Sequence, residues 1–453
     1  MFDVVIKNGT AVTAVSTFQA DIGINNGKIA AIGSHFNGKV VIDASNKWII
    51  PGGVDIHVHL EMPIGRFTST DDFYTGTRAA AFGGTTTIID FVETQVNETM
   101  TEAIAKRRAI ADPKTVIDYG LHMTIGPADI PRLYQLEEAF QAGATTFKLY
   151  MAYGLRLRDD KLFKALTAVH RVGGLPVVHA ENWDIITTLI EQNLTAGRTT
   201  PHWHPRSRPA EMEAEAVGRL IDIASYIGVP VHIFHVSTGL AVERIAAAKA
   251  KGKPVTGETC PQYLYLTWDA YDASGVQGAL PVCSPPIRAK HEQDALWQAL
   301  ACNHLQVVTT DHCPFTAEEK ATGLNNYSQI PGGVPSIEMR MSAIYQGVLN
   351  GILTPSQWVA MCATTPARLT GLAHKGHIAV GYDADLVVWD PHKQKTITPE
   401  TLHEKAGWTP YDGLTLTGWP EATMVRGRLV TQGDEFVGEK GYGRYIHRTA
   451  ANL

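Results

Sequence analysis

The sequence predicts an α/β protein: a (β/α)8 TIM barrel carrying a smaller, discontinuous β-sandwich domain built from both chain ends. Three observations predict it. Eight apolar strand-like runs alternate with amphipathic helical stretches through the middle of the chain, and alternation of that kind implies a parallel sheet. Eight repeats over about 300 residues suit a closed barrel better than an open doubly wound sheet. The two ends share a different texture of short strands and tight turns.

The N-terminal part, residues 1–50, contains "DVVIKNGT", "ADIGINNGKIAAIG" and "KVVIDASNKWIIPG", with hairpin signals at Asn8-Gly9 and Asn26-Gly27. Residues 51–374 hold the strand candidates "GVDIHVHL", "TTTIIDF", "VIDYGLHMTI", "TTFKLYM", "LPVVHAE", "VPVHIFHVS", "PVTGETC" and "LQVVTTDHC". Helical patterns lie between them, several closed by glycine. Residues 375–453 return to strands in "ADLVVWDP" and "TMVRGRLVTQGD" and finish in a tail, "EKGYGRYIHRTAANL". Pairing of the two ends into one module would bring the termini near each other.

Composition narrows the function classes. The chain has 453 residues, 44% hydrophobic and 19% charged, with a net charge of -6. A charge so mild gives no reason to expect nucleic acid or an anionic membrane as partner. The five cysteines, Cys260, Cys283, Cys302, Cys313 and Cys362, are scattered and lack CxxC spacing, which argues against a disulfide framework. No apolar run approaches the roughly 18 residues that span a bilayer, and the start lacks a signal-peptide pattern. The expectation is a cytoplasmic protein. No GxGxxG follows the first barrel strand, which weakens a dinucleotide-binding reading.

Barrel enzymes carry their chemistry at the C-terminal ends of the strands. Strand 1 ends in His57 and His59, whose i, i+2 spacing puts both imidazoles on one face. Strand 4 carries Lys148, strand 5 ends in His179, strand 6 in His235 and strand 8 in Asp311. Taken singly, a histidine at a strand end is more often a hydrogen-bonded core group than a ligand. Five of the eight strand ends carry a ligand-type residue, and that coincidence points to a metal centre. His232 lies three residues before His235, so strand parity assigns it to the opposite face. His122 and His312 are expected to be structural, and Cys313 shares parity with Asp311 without being needed.

Lys148 is the anomaly in "ATTFKLYMAYG", because an unpaired ammonium is costly away from water. Cations would repel it. Reaction of the amine with carbon dioxide gives a carbamate, an anion with two oxygens able to bridge two metals. A carbamate, a carboxylate and a hydroxide leave two divalent ions with a small positive excess, which lowers the pKa of bound water.

With these residues the chain resembles the amidohydrolase superfamily and, within it, the hydantoinase/dihydropyrimidinase family. The likeness runs through "PGGVDIHVHLEMPIG", "TSTDDFYTGTRAAAFGGTTTIIDF", "FKLYMAY", "VVHAEN", "HVSTG", "GETCPQYL", "CSPPIR" and "TTDHCPF". The resemblance implies two zinc ions, with manganese or cobalt as substitutes. His57, His59 and Asp311 would hold one ion, His179 and His235 the other, and N-carboxylated Lys148 with a hydroxide would bridge them. It implies further that Asp311 moves the proton, Tyr153 steadies the oxyanion, and the main chain at Ser284 and Gly332 binds the ring amide. Gly332 stands in "IPGGVP" where asparagine is usual, and Gly154 replaces the usual lysine after the tyrosine. Ile64, Tyr150 and Leu157 would line the pocket for the exocyclic substituent. Arg66, Arg156 and Arg158 are expected to be solvated.

The implied activity is hydrolysis of 5-substituted hydantoins or dihydropyrimidines, small cyclic amides, to N-carbamoyl amino acids. The alternatives are another cyclic amidase such as allantoinase and a non-catalytic scaffold paralogue. No arginine follows the paired histidines, unlike dihydroorotase-like chains, and Tyr153 separates this chain from allantoinase-like ones. The complete ligand set argues against a scaffold, and a mononuclear deaminase has no use for Lys148. The family also implies a homotetramer, or a homodimer, with the C-terminal tail as an assembly element.

Overall fold

The computed structural model describes residues 1–452. Eight parallel strands run in chain order around a barrel: Gly53–Asp55, Thr85–Val92, Asp118–Thr124, Thr146–Tyr150, Leu175–His179, Val231–Ile233, Val255–Thr259 and Val307–Val308. Seven fall inside the segments expected for them, and the second runs one residue past its segment, to Val92. The second and third strands are buried along their whole length, as a parallel sheet covered on both faces requires. Helices start and stop on local signals. Phe73–Phe82 opens with an Asp72–Thr75 capping box, Met100–Ala111 with a Thr99–Glu102 box, and Ala210–Ile227 ends at Gly228 with φ of 83°.

The ring closes between the first and last strands through a buried arginine. Arg340 Nη1 donates to the carbonyls of Val54, Val308 and Cys362 at 3.2, 2.9 and 3.2 Å. Beyond it His59 N donates to the His312 carbonyl at 2.8 Å.

The chain ends form the smaller domain as a nine-stranded mixed sheet. Phe2–Val12 pairs with Thr17–Asn25, Gly38–Asp43 and Trp48–Pro51. Trp48–Pro51 then pairs antiparallel with Leu386–Thr396, Pro51 opposite Leu386 and Trp48 opposite Trp389. This seam joins the two ends over their own apolar core, which includes Ile6, Ile22, Ile49, Leu386 and Val388.

The C-terminal tail is part of the fold of the single chain. It docks under the barrel of its own chain, at the N-terminal ends of the strands. Tyr119 N donates to the Arg444 carbonyl and Ile446 N to that of Tyr119, at 2.9 and 2.8 Å. Arg448 is buried there against the Gly143, Leu121 and Thr370 carbonyls. Among the described residues no helix is long and apolar enough to cross a membrane.

Candidate active site

The expected ligands meet at the C-terminal mouth of the barrel. His57, His235 and Asp311 offer donor atoms that lie within 4.8 Å of one another and could hold an ion. Nε2 of His57 and Nε2 of His59 both lie 3.1 Å from Asp311 Oδ1. His179 joins from the other side, its Nδ1 2.9 Å from His235 Nε2. Each of the four imidazoles thus turns one nitrogen toward a common centre. Two are fixed from behind by carboxylates: Glu258 Oε1 is 2.7 Å from His57 Nδ1, and Glu181 Oε2 is 2.7 Å from His179 Nε2. A carboxylate behind an imidazole sets its tautomer and frees the front nitrogen for a ligand. The remaining nitrogens, Nδ1 of His59 and of His235, are buried and make no hydrogen bond. This donor set fits divalent ions.

Electrostatics point the same way. Burial pushes the pKa of His59, His179 and His235 down, so these rings are neutral and able to ligate. Burial opposes the charge on Asp311, but His57 and His59 outweigh it and hold the carboxyl well below its usual range. His57 is the exception: burial is outweighed by Asp311 and Glu258, and its pKa rises.

Lys148 is buried in the same mouth. Its Nζ lies 4.1 Å from the ring centre of Phe234, 4.8 Å from Tyr150 and 5.6 Å from Phe91. Aromatic faces around the amine leave burial dominant and lower its pKa to about 7. A fraction of the amine is therefore uncharged near neutral pH.

Tyr153 follows on a left-handed residue with φ of 65°, and His235 and Asp311 share that trait at 41° and 51°. Non-glycine residues in this region are uncommon and gather at functional sites. The Tyr153 ring packs 5.1 Å from His179 and 4.9 Å from Trp183, with the Arg208 guanidinium 5.2 Å from its centre. Burial pushes the phenol to about 12 although Arg208 and Ser284 pull it down.

Ser284 and Gly332 lie together across two loops. A Cβ on Gly332 would sit 3.9 Å from Ser284 Oγ and 3.8 Å from Cys283 Cα. That is ordinary contact, so the loop as it stands has room for a side chain. Leu157 N donates to the Tyr150 carbonyl at 2.8 Å, which joins two of the expected pocket residues. Ile64 lies on a small hairpin, Pro63–Ile64 with Phe67–Thr68. Arg156 pairs with Asp184 at 2.5 Å, Arg66 donates to Thr322 at 3.0 Å, and Arg158 is exposed.

His122 and His312 are structural. His122 bonds Thr146 Oγ1 and the Ile56 carbonyl, and His312 bonds Asp71. His232 corrects the parity argument. It reaches Glu258 Oε2 at 3.1 Å while His57 takes Oε1 of the same carboxylate, so His232 and His235 both face the barrel interior. The strand stops at Ile233 and His235 turns to positive φ, which ends the two-residue alternation. Sequence reasoning also missed Glu181, Glu258 and Arg208. Glu181 shares parity with His179, and Glu258 lies near the end of the seventh strand candidate, so both carried a signal. Arg208, paired with Glu181 at 2.5 Å, comes from a distant loop and carried none.

A parallel eight-stranded barrel that gathers four histidines, an aspartate and a buried lysine at its strand ends defines a metal-dependent hydrolase class. A family model described as amidohydrolase family matches residues 48–430, and the chain belongs to that family. It is 42% identical to a D-hydantoinase of Streptomyces coelicolor, over 98% of this chain and 97% of that protein. It is 43% identical to a D-hydantoinase of Geobacillus stearothermophilus, over 98% of this chain and 96% of that protein. Among solved structures, the dihydropyrimidinase from Brevibacillus agri superposes with a TM-score of 0.97 at 43% identity, covering 99% of each chain.

Proposed function

We propose that this protein is a binuclear-metal hydrolase that opens the ring amide of 5-substituted hydantoins, dihydropyrimidines or both, yielding N-carbamoyl amino acids. The observation that carries the reading is the convergence of four imidazoles, Asp311 and the Lys148 amine on one centre at the barrel mouth. The hydantoinase names of full-length relatives support the substrate class.

His57, His59 and Asp311 would hold one ion, and His179 and His235 the second. Lys148 would stand between them as a carbamate, formed from its uncharged amine and carbon dioxide. The ions, when bound, supply Lewis acidity and an activated water at neutral pH. Zinc is the expected metal, and manganese or cobalt suits the same mix of donors. Asp311 takes the proton of the attacking water and passes it to the leaving ring nitrogen, base first and acid second. Tyr153 keeps its proton throughout the neutral range, because its pKa is raised to about 12. It donates to the carbonyl oxygen as negative charge develops there. Main-chain groups at Ser284 and Gly332 orient the ring amide. Ile64, Tyr150 and Leu157 face the exocyclic group, which favours bulky apolar or aromatic substituents.

The same reading takes residues 51–374 as the catalytic unit and residues 1–50 with 375–453 as the accessory one. It takes the molecule as a cytoplasmic homotetramer or homodimer.

A substrate panel tests the reading. Dihydrouracil, 5-phenylhydantoin, a 5-alkylhydantoin and allantoin are offered to the metal-loaded protein, with chiral analysis of the products. Opening of a hydantoin or of dihydrouracil is expected; hydrolysis of allantoin alone would assign a different cyclic amidase.

A further inference from the structure

The proposed mechanism uses one buried lysine and leaves another unexplained. Lys320 lies on the short helix Ala317–Ala321 and has no exposed surface. Its Nζ donates to the Val282 carbonyl at 2.9 Å and to the Pro331 carbonyl at 3.1 Å. Val282 stands two residues before Ser284, and Pro331 immediately precedes Gly332. The Val282 carbonyl also accepts from Gly333 N at 2.9 Å. The two chain segments assigned to the ring amide therefore meet at one carbonyl and one ammonium.

The surroundings make this an expensive way to join two carbonyls. Beside the amine lies the face of Trp408, 5.6 Å away, and the nearby ionisable groups are the thiols of Cys283 and Cys313 rather than carboxylates. Burial lowers its pKa to about 7. A lone buried cation costs folding free energy, and a bridging water could satisfy the same carbonyls at little cost. What the lysine adds is a fixed anchor. Its helix follows directly on the chain that carries Asp311. The segment 331–333 lies against that chain as well: Cys313 N donates to the Val334 carbonyl at 3.3 Å, and Gly333 packs so closely on the Cys313 carbonyl that a Cβ would sit 2.2 Å from it.

We infer that Lys320 is a positioning residue for substrate: it holds residues 282–284 and 331–333 at the spacing that receives the ring amide, in register with Asp311. The inference rests on the cyclic-amidase reading. It concerns binding of the ring rather than the chemistry on it, so its signature is a split between KM and kcat.

The test uses the full-length, metal-loaded enzyme and the ring of the panel that it opens fastest. Lys320→Met keeps the apolar stem and removes the donor. KM should rise about tenfold, the scale of one lost charged hydrogen bond, with kcat within about twofold and metal content unchanged. Lys320→Arg, which restores charge and donors, should recover part of the KM. An unchanged KM in folded Lys320→Met, or a fall in kcat at constant KM, overturns the inference. Where Lys320→Met does not accumulate as folded protein, amide exchange on the wild type replaces it. Segments 282–284 and 331–333 should then gain protection together when N-carbamoyl product is added, and protection of one alone overturns the inference. A wild type inactive on every ring overturns the functional reading and this inference together, whereas an active wild type with an indifferent Lys320 variant overturns only the latter.

Discussion

The two ends of the barrel bury charge in opposite ways. At the N-terminal end the cations Arg448, Lys375 and Arg426 are held by partners within the protein. Arg448 donates to Thr146 Oγ1 at 2.8 Å and to the Gly143 and Thr370 carbonyls at 3.2 and 3.3 Å. Lys375 sits between Asp118 and Asp385 at 2.5 and 2.7 Å, and Arg426 closes on the same Asp118. At the C-terminal end the polar groups are left incomplete. Lys148 faces aromatic rings, two imidazole nitrogens have no partner, and Tyr153, His235 and Asp311 hold uncommon backbone angles. The contrast separates stability from function within one fold. One end is held by ion pairs and hydrogen bonds within the protein; the other keeps donor atoms free for the ions proposed above.

Three substitutions would break or sharpen this contrast. The largest effect is expected from Lys148→Ala, which would remove the proposed bridge at the open end. Metal content and activity should fall together while the far-ultraviolet circular dichroism stays native. Metal analysis beside turnover checks this, and full activity in the variant would sink the binuclear reading. Tyr153→Phe should reduce kcat by about 10²- to 10³-fold, the range for loss of one oxyanion donor, with metal retained. Loss of metal instead would show that the phenol serves the ligand shell. The smallest effect on catalysis belongs to the other end. Arg448→Ala leaves buried carbonyls without donors, each worth about 1–3 kcal/mol, and should lower the unfolding temperature. KM and kcat of the folded enzyme should hold, and a selective loss of turnover would show that the two ends are coupled.

Much of the fold was legible because parallel strands buried on both faces read as continuous apolar runs. All eight barrel strands form at the expected segments, such as "TTTIIDF" and "LPVVHAE", within one residue. The residues gathered at the barrel mouth were legible for a related reason: His57, Lys148, His179 and Asp311 interrupt apolar runs where polar side chains are costly. The reading failed where the strand itself ended. His232 was assigned by alternation, but alternation stops at Ile233, and both it and His235 turn inward to share the neighbourhood of Glu258. The tail shows the same limit from another side, since its sequence does not reveal which surface it covers.

By itself, then, the sequence determined the order of strands and helices, the pairing of the chain ends and the residue types brought to the barrel mouth. Those follow from periodicity and from the cost of burying polar groups, both local along the chain. The tertiary structure alone decided which carboxylate backs which imidazole, where Arg208 lies and what Lys320 grips. Those contacts join residues far apart in sequence, such as His57 with Glu258 and Lys320 with Val282. Only the closed barrel sets the distances between them.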